Sequence, residues 1–128
     1  MEIKLFDSEL RLMEVIWENG DIQATELVRI MADRIGWNKN TTYTVIKKLI
    51  AKGAVERIEP KFVCKALVSR DGVQRAETRS LIDKLFAGSS KLFFASFLES
   101  ESLTKEELQE LKAMVENLSD ETEGGDSQ

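Results

Sequence analysis

Eight residues in one short stretch carry side chains suited to meeting a polyanion. From Trp37 to Gly53 the chain reads WNKNTTYTVIKKLIAKG. Drawn as a helix, it puts Asn40, Thr41, Tyr43, Thr44, Lys47 and Lys48 on one side, with Asn38 and Lys39 at its start. This side offers hydroxyls, amides and lysines but no acid. A solvated helix face usually mixes signs, so a face without acids suits phosphates and base edges. Thr41, Tyr43, Thr44 and Lys47 are the candidate groove contacts. Asn38, Lys39, Asn40 and Lys48 are candidates for phosphate contact or capping. On the opposite side Thr42, Val45, Ile46 and Leu49 recur at i, i+3, i+4 and i+7, the spacing of a buried stripe. Asn38 can accept an orphan N–H of the first turn, and Gly53 can take the left-handed conformation that ends a helix.

Other chemistries find little support. The chain has no histidine, which removes Ser-His-Asp and Cys-His catalysis and the usual zinc sites. Neither a phosphate loop nor a dinucleotide fingerprint occurs. Acid pairs such as Glu99 with Glu101 and Glu106 with Glu107 lie in a generally acidic half and read as solvated helix faces. No enzyme activity, metal or cofactor is expected. The single cysteine, Cys64, rules out an internal disulfide framework and fits a reducing cytoplasm. It reads as a strand residue filling a partly apolar site rather than as a sensor thiol.

The elements that must position the polar face are legible from periodicity. Asp7 or Ser8 caps a first helix, with Glu9 complementing its dipole and Leu10, Met13 and Trp17 making a stripe widened by Leu12 and Ile16. Asn19-Gly20 ends it, and Asp21-Ile22-Gln23 is short and extended. A second helix spans about Ala24 to Ile35, with Ala24, Leu27, Val28, Met31 and Ile35 inward, and Gly36 breaks the chain before the third. Three short helices with tight connections, the third polar on one side, make a helix-turn-helix. Val55 and Ile58 then alternate with charges, Pro60-Lys61 is a turn, and residues 62–68 read as a second strand. Two strands behind a helix-turn-helix make a wing. The fold class is mainly α, an α+β winged helix over residues 1–69 followed by a helical region over 70–118.

In that second region Ser69 caps a helix to about Phe86, carrying Val73, Ala76, Leu81, Ile82 and Leu85, and Ser89 caps the next. There, KLFFASFLES places Leu92, Phe93, Phe94, Phe97 and Leu98 so that almost no polar side remains. A helix apolar all round must be covered all round. Thr104 and Glu107 form a capping box before Leu108, Leu111, Val115 and Leu118, a narrow apolar seam. So small a helical unit cannot enclose the Phe-rich helix alone. The cover is either the winged helix of the same chain or a second copy; a second copy is the expected one, with Leu81, Leu85, Leu92, Phe93, Phe94, Phe97, Leu98, Leu108, Leu111 and Val115 as dimerisation residues. Residues 119–128 are acidic and Gly-containing, and disorder is expected there.

Charge is divided the same way. The net charge is −5. Residues 1–70 hold 12 basic and 10 acidic residues, and residues 71–128 hold 6 and 13. Between Trp37 and Lys65 there are 7 basic residues and only 2 acids, Glu56 and Glu59. The local field, not the total, steers an anionic partner. No apolar run is long enough to span a bilayer, and MEIKLFDSE has no signal-peptide pattern, so a cytoplasmic protein is expected.

Several segments in order, namely DSELRLMEVIWENG, IQATELV, WNKNTTYTVIKKLIAKGAVER, LVSRDG, ETRSLIDKLFAGSSKLFFASFLE and LTKEELQELK, resemble the penicillinase-repressor family. This is the BlaI/MecI group with its copper-responsive CopY-type relatives, and the resemblance covers roughly residues 5–118. It implies a homodimeric transcriptional repressor whose winged helix binds a palindromic double-stranded operator. In the antibiotic-responsive branch it also implies a membrane-bound sensor metalloprotease and scission in the dimerisation region. The matching bond is Ser96–Phe97, where serine replaces the family's asparagine. The tail lacks the paired cysteines of the copper-responsive branch. At the wing tip Glu59-Pro60 stands where the family often has Gly-Arg, leaving Lys61 or Lys65 as substitute phosphate contacts. The rival reading is a winged helix used for protein–protein contact. The acid-free face of the third helix favours DNA.

Overall fold

A computed structural model describes residues 3–125, with side chains for residues 3–119. In chain order the elements are α1 (Asp7–Asn19), β1 (Ile22–Gln23), α2 (Ala24–Ile35), α3 (Lys39–Ala51), β2 (Val55–Ile58), β3 (Val63–Ala66), α4 (Arg70–Leu85), α5 (Ser90–Ser100) and α6 (Lys105–Gly125). The chain forms two compact units, residues 1–81 and 82–128.

The first unit packs α1, α2 and α3 around one core. Leu12, Met13, Val15 and Ile16 of α1, Leu27 and Met31 of α2, and Val45, Ile46 and Leu49 of α3 are all buried. The buried stripe of α1 lies towards Leu12 and Ile16, while Leu10 and Trp17 are half-buried at its margins. Trp17 keeps its indole N–H at the edge because Nε1 donates to the Val68 carbonyl at 2.9 Å. On α2, Val28 is half-buried and Ile35 is exposed, against the expectation that both face inward. Ile35 is the last residue before Gly36 ends the helix in the left-handed region (φ 74°), and its side chain is exposed at that final turn.

The sheet has three strands, not two. The order is β1-β3-β2, antiparallel throughout, with Ile22 opposite Cys64 and Val55 opposite Ala66. The short extended step at Ile22–Gln23 borrows the free edge of β3 and ties the wing to the start of α2. The strands are shorter than the sequence suggests, because Phe62 turns the chain with a positive φ of 52° before β3 begins.

The start of α1 also differs from expectation. Neither Asp7 nor Ser8 caps it. Phe6 occupies the N-cap, and its backbone N–H donates to Glu9 Oε1 at 2.8 Å. Glu9 therefore caps from within the first turn. It is also 1% exposed and pairs with Lys52 Nζ at 2.6 Å, while the same ammonium donates to the Lys4 carbonyl at 2.8 Å. This joins the N-terminal segment to the end of α3.

The boundary near residue 69 read from the sequence precedes the division between the compact units. The first turns of α4 belong with the helix-turn-helix: Val73 is in its core, and Arg70 pairs with Glu14 of α1 at 2.8 Å. Ser69 Oγ accepts from the Gly72 N–H at 3.0 Å, the cap expected for α4.

In the second unit, Ser89 Oγ accepts from the Leu92 N–H at 3.1 Å and caps α5. The Thr104–Glu107 box is reciprocal, both bonds at 3.0 Å. Helix α6 continues past Ser119 to Gly125, where the sequence reading expects disorder. Extending a formed helix costs less than starting one, and glutamates are good helix formers. Residues 126–128 lie outside the described residues.

Candidate nucleic-acid interface

Helix α3 is built to show one side. Asn38 Oδ1 accepts from the Thr41 N–H at 2.8 Å, the side-chain cap expected of it. Thr42, Val45, Ile46 and Leu49 are buried as a continuous stripe, and the Thr42 hydroxyl donates to the Asn38 carbonyl at 3.4 Å. The helix ends with Gly53 (φ 81°) donating to the Ile50 carbonyl and Ala54 donating to the Leu49 carbonyl, at 3.0 and 2.9 Å. Those two bonds satisfy carbonyls that the helix end would leave free.

With that stripe buried, the remaining positions face solvent together. Lys39, Asn40, Thr41, Thr44, Lys47 and Lys48 are exposed, and so is Asn38. Tyr43 is half-buried, its ring 5.9 Å from that of Phe62 on the wing turn. All eight residues picked from the sequence thus share one end or one side of α3, and no acid interrupts them. The wing supplies Lys61 and Lys65, both exposed. Sequence reasoning missed Arg57. Its guanidinium lies 3.6 Å from the Phe62 ring centroid and pairs with Glu59. The available signal was the i, i+2 spacing of Arg57 and Glu59 in the stretch that the sequence suggests as a strand, which would put both on one face; in the structure Glu59 follows the end of β2.

Cys64 is buried opposite Arg57 in β3. Burial pushes its thiol up to about 11, against a smaller lowering by Arg57. A thiol held protonated in this way is unreactive, which fits a packing role. Among the described residues, no group of histidine, cysteine or acid side chains could hold a metal ion. No described helix is long and apolar enough to cross a membrane.

The apolar residues picked for dimerisation lie on α4, α5 and α6. Leu81, Leu85, Leu92, Phe94, Leu98, Leu108 and Val115 are exposed, and Phe93, Phe97 and Leu111 are half-buried. No residue of α5 is buried. Among the described residues of the second unit only Ile82 is buried. Phe94, Leu111, Met114, Val115, Asn117 and Leu118 line an open groove of about 530 Å³. The Ser96–Phe97 bond lies inside α5, with the Phe97 ring stacked on Phe94 at 6.3 Å.

Comparison with known proteins identifies the lineage. A profile of the penicillinase repressor family matches residues 5–117. The chain belongs to that family. The penicillinase repressor of Bacillus licheniformis is 26% identical over 115 residues, 88% of this chain and 90% of that protein. The methicillin resistance regulatory protein MecI of Mammaliicoccus sciuri is 23% identical over 114 residues, 88% of this chain and 93% of that protein. Among solved structures, the DNA-binding domain of the repressor BlaI superposes with a TM-score of 0.51 at 26% identity, covering 55% of this chain and 88% of that one. Monomeric Bacillus licheniformis BlaI in complex with the blaP half-operator gives 0.51 at 27% identity, covering 56% and 90%. The family match runs through both units, whereas the structural matches cover about half the chain. The N-terminal unit is thus the winged helix of a penicillinase-repressor-family protein.

Proposed function

We propose that this protein is a transcriptional repressor that binds a palindromic DNA operator as a homodimer. The observation that carries this reading is the exposed, acid-free side of α3 in a chain of the penicillinase repressor family. In a winged helix this element enters the major groove, where hydroxyls, amides and lysines can meet base edges and phosphates. Thr41, Tyr43, Thr44 and Lys47 face the groove. Asn38, Lys39, Asn40, Lys48 and Lys61 meet the backbone. The structural relative solved with a half-operator supports DNA as the partner class.

Dimerisation is inferred from the second unit. Its apolar side chains stay uncovered in one chain, with Leu85 72% and Leu92 57% exposed. Contiguous apolar surface of this kind marks an interface, and a two-fold copy is the simplest cover. Scission at Ser96–Phe97, in a process started by a membrane-bound sensor metalloprotease, would divide α5 and break that cover, releasing the operator.

Fluorescence anisotropy tests the reading. The duplex is the DNA upstream of the protein's own gene, at several salt concentrations, with scrambled DNA as competitor. The expected result is tight, salt-dependent and sequence-selective binding. No preference over scrambled DNA from a protein shown to be dimeric would instead make α3 a protein-contact surface.

A further inference from the structure

The wing holds a cationic group that the acid-free side of α3 does not account for. Arg57 is opposite Cys64 in the β2–β3 register, and the two side chains share a face of the sheet. Its guanidinium is stacked on Phe62, whose ring in turn meets Tyr43 of α3. Phe62 is fixed by its backbone, since its carbonyl accepts from the Ala24 N–H at 2.9 Å. Tyr43, Phe62 and Arg57 therefore form a continuous line of contacts from the α3 surface to the wing. At its outer end Glu59 accepts from Arg57 Nε and offsets part of the guanidinium charge.

Both partners are about half exposed, 47% and 57%. A pair so exposed contributes little to stability, so the fold does not require Glu59. The pair uses Nε, and the guanidinium fork has further N–H donors, the geometry that reads phosphate. A ring on one face limits the rotamers of Arg57 and leaves its edge for an anion.

We propose that Arg57 is a phosphate contact of the wing, positioned by Phe62, and that Glu59 competes with the phosphate for it. Glu59 thereby keeps DNA affinity below what the wing can supply. This rests on the DNA-binding reading above.

The test is a double-mutant cycle on the full chain by anisotropy, with cognate and scrambled duplexes between 50 and 200 mM salt. Glu59→Gln should tighten binding to both duplexes equally. Its salt dependence should steepen by about 0.9 in log–log slope per wing engaged, so its advantage over the parent shrinks about threefold per wing across that range. Arg57→Gln in the Glu59→Gln background should abolish the gain. Glu56→Gln removes the same charge from the neighbouring position of β2 and should give a smaller gain. The inference is overturned if Glu59→Gln leaves affinity unchanged, if the gain survives loss of Arg57, or if Glu56→Gln matches it. Failure of the unaltered protein to bind any duplex would overturn the DNA-binding reading itself, whereas normal binding with an unresponsive Glu59→Gln would overturn this inference alone.

Discussion

On the proposed function, residues on α3 divide into those that read sequence and those that meet charge. Lys48→Ala should weaken binding to every duplex and flatten the log–log salt slope by about 0.9 for each phosphate it leaves unneutralised. Thr44→Ala should change discrimination between operator variants by about 1–3 kcal/mol instead. Anisotropy on cognate and scrambled DNA separates the two, and equal losses on both duplexes from both variants would sink the division. Glu9 has a role away from DNA. Its Oε1 is held by Lys52 and the Phe6 N–H, while Oε2 has no hydrogen-bond partner among the described residues. Lys52→Ala would strand a buried carboxylate and should cost about 2–3 kcal/mol, read from the urea midpoint. At Cys64 the folded thiol holds its proton up to about 11, above its ordinary value of 9.0. Its contribution to stability is therefore complete below pH 9 and is lost as pH rises towards 11. At about pH 8, below the ordinary thiol range, a thiol reagent should label the native protein only as fast as it opens, and unfolded protein in urea far faster.

Elements differ in how far they stand by themselves. Helix α3 has a side-chain cap, a glycine-terminated end and a buried stripe, so local signals and packing agree. Helix α1 lacks a side-chain cap at its N-cap and depends on the Glu9–Lys52 contact with the end of α3. Helix α6 buries no residue among those whose side chains are described, and its reciprocal box carries much of its start. Thr104→Ala should cost about 1 kcal/mol of local helix stability, seen as faster amide exchange in the first turn of α6 with α1–α3 unchanged. The wing is short, four residues per strand, and its order comes from β1 on one edge and the Phe62–Tyr43 contact at its tip.

At the scale of the molecule, the two units place opposite demands on their surroundings. The first has a closed core in which three helices and the sheet share one set of buried side chains. The second leaves Leu92, Phe94, Leu98, Met114 and Leu118 exposed. Phe94→Glu should therefore yield a monomer by sedimentation at micromolar concentration, with the N-terminal unit still folded by amide exchange. Operator affinity should fall at least about tenfold, because two linked half-site contacts become one. A variant that stayed dimeric would show that Phe94 is not in the interface. On the proposed dimer, the melting temperature of the parent protein should also rise with protein concentration.

The sequence by itself determined the order of the six helices and the two wing strands, because helical periodicity, Asn38, Ser89, Thr104 and the glycines are local signals read from neighbours three or four residues away. It also determined the acid-free side of α3, since burying Thr42, Val45, Ile46 and Leu49 leaves those residues nowhere else to go. Only the tertiary structure decided what depends on distant partners. Glu9 became a buried cap because Lys52, 43 residues on, reaches it. Ile22–Gln23 became a strand because β3 had a free edge, and Arg57 became part of the wing–α3 line of contacts because Phe62 turns back towards Tyr43. Such contacts leave no periodic trace, because each joins positions whose separation along the chain is set by the fold and not by a helix or strand repeat.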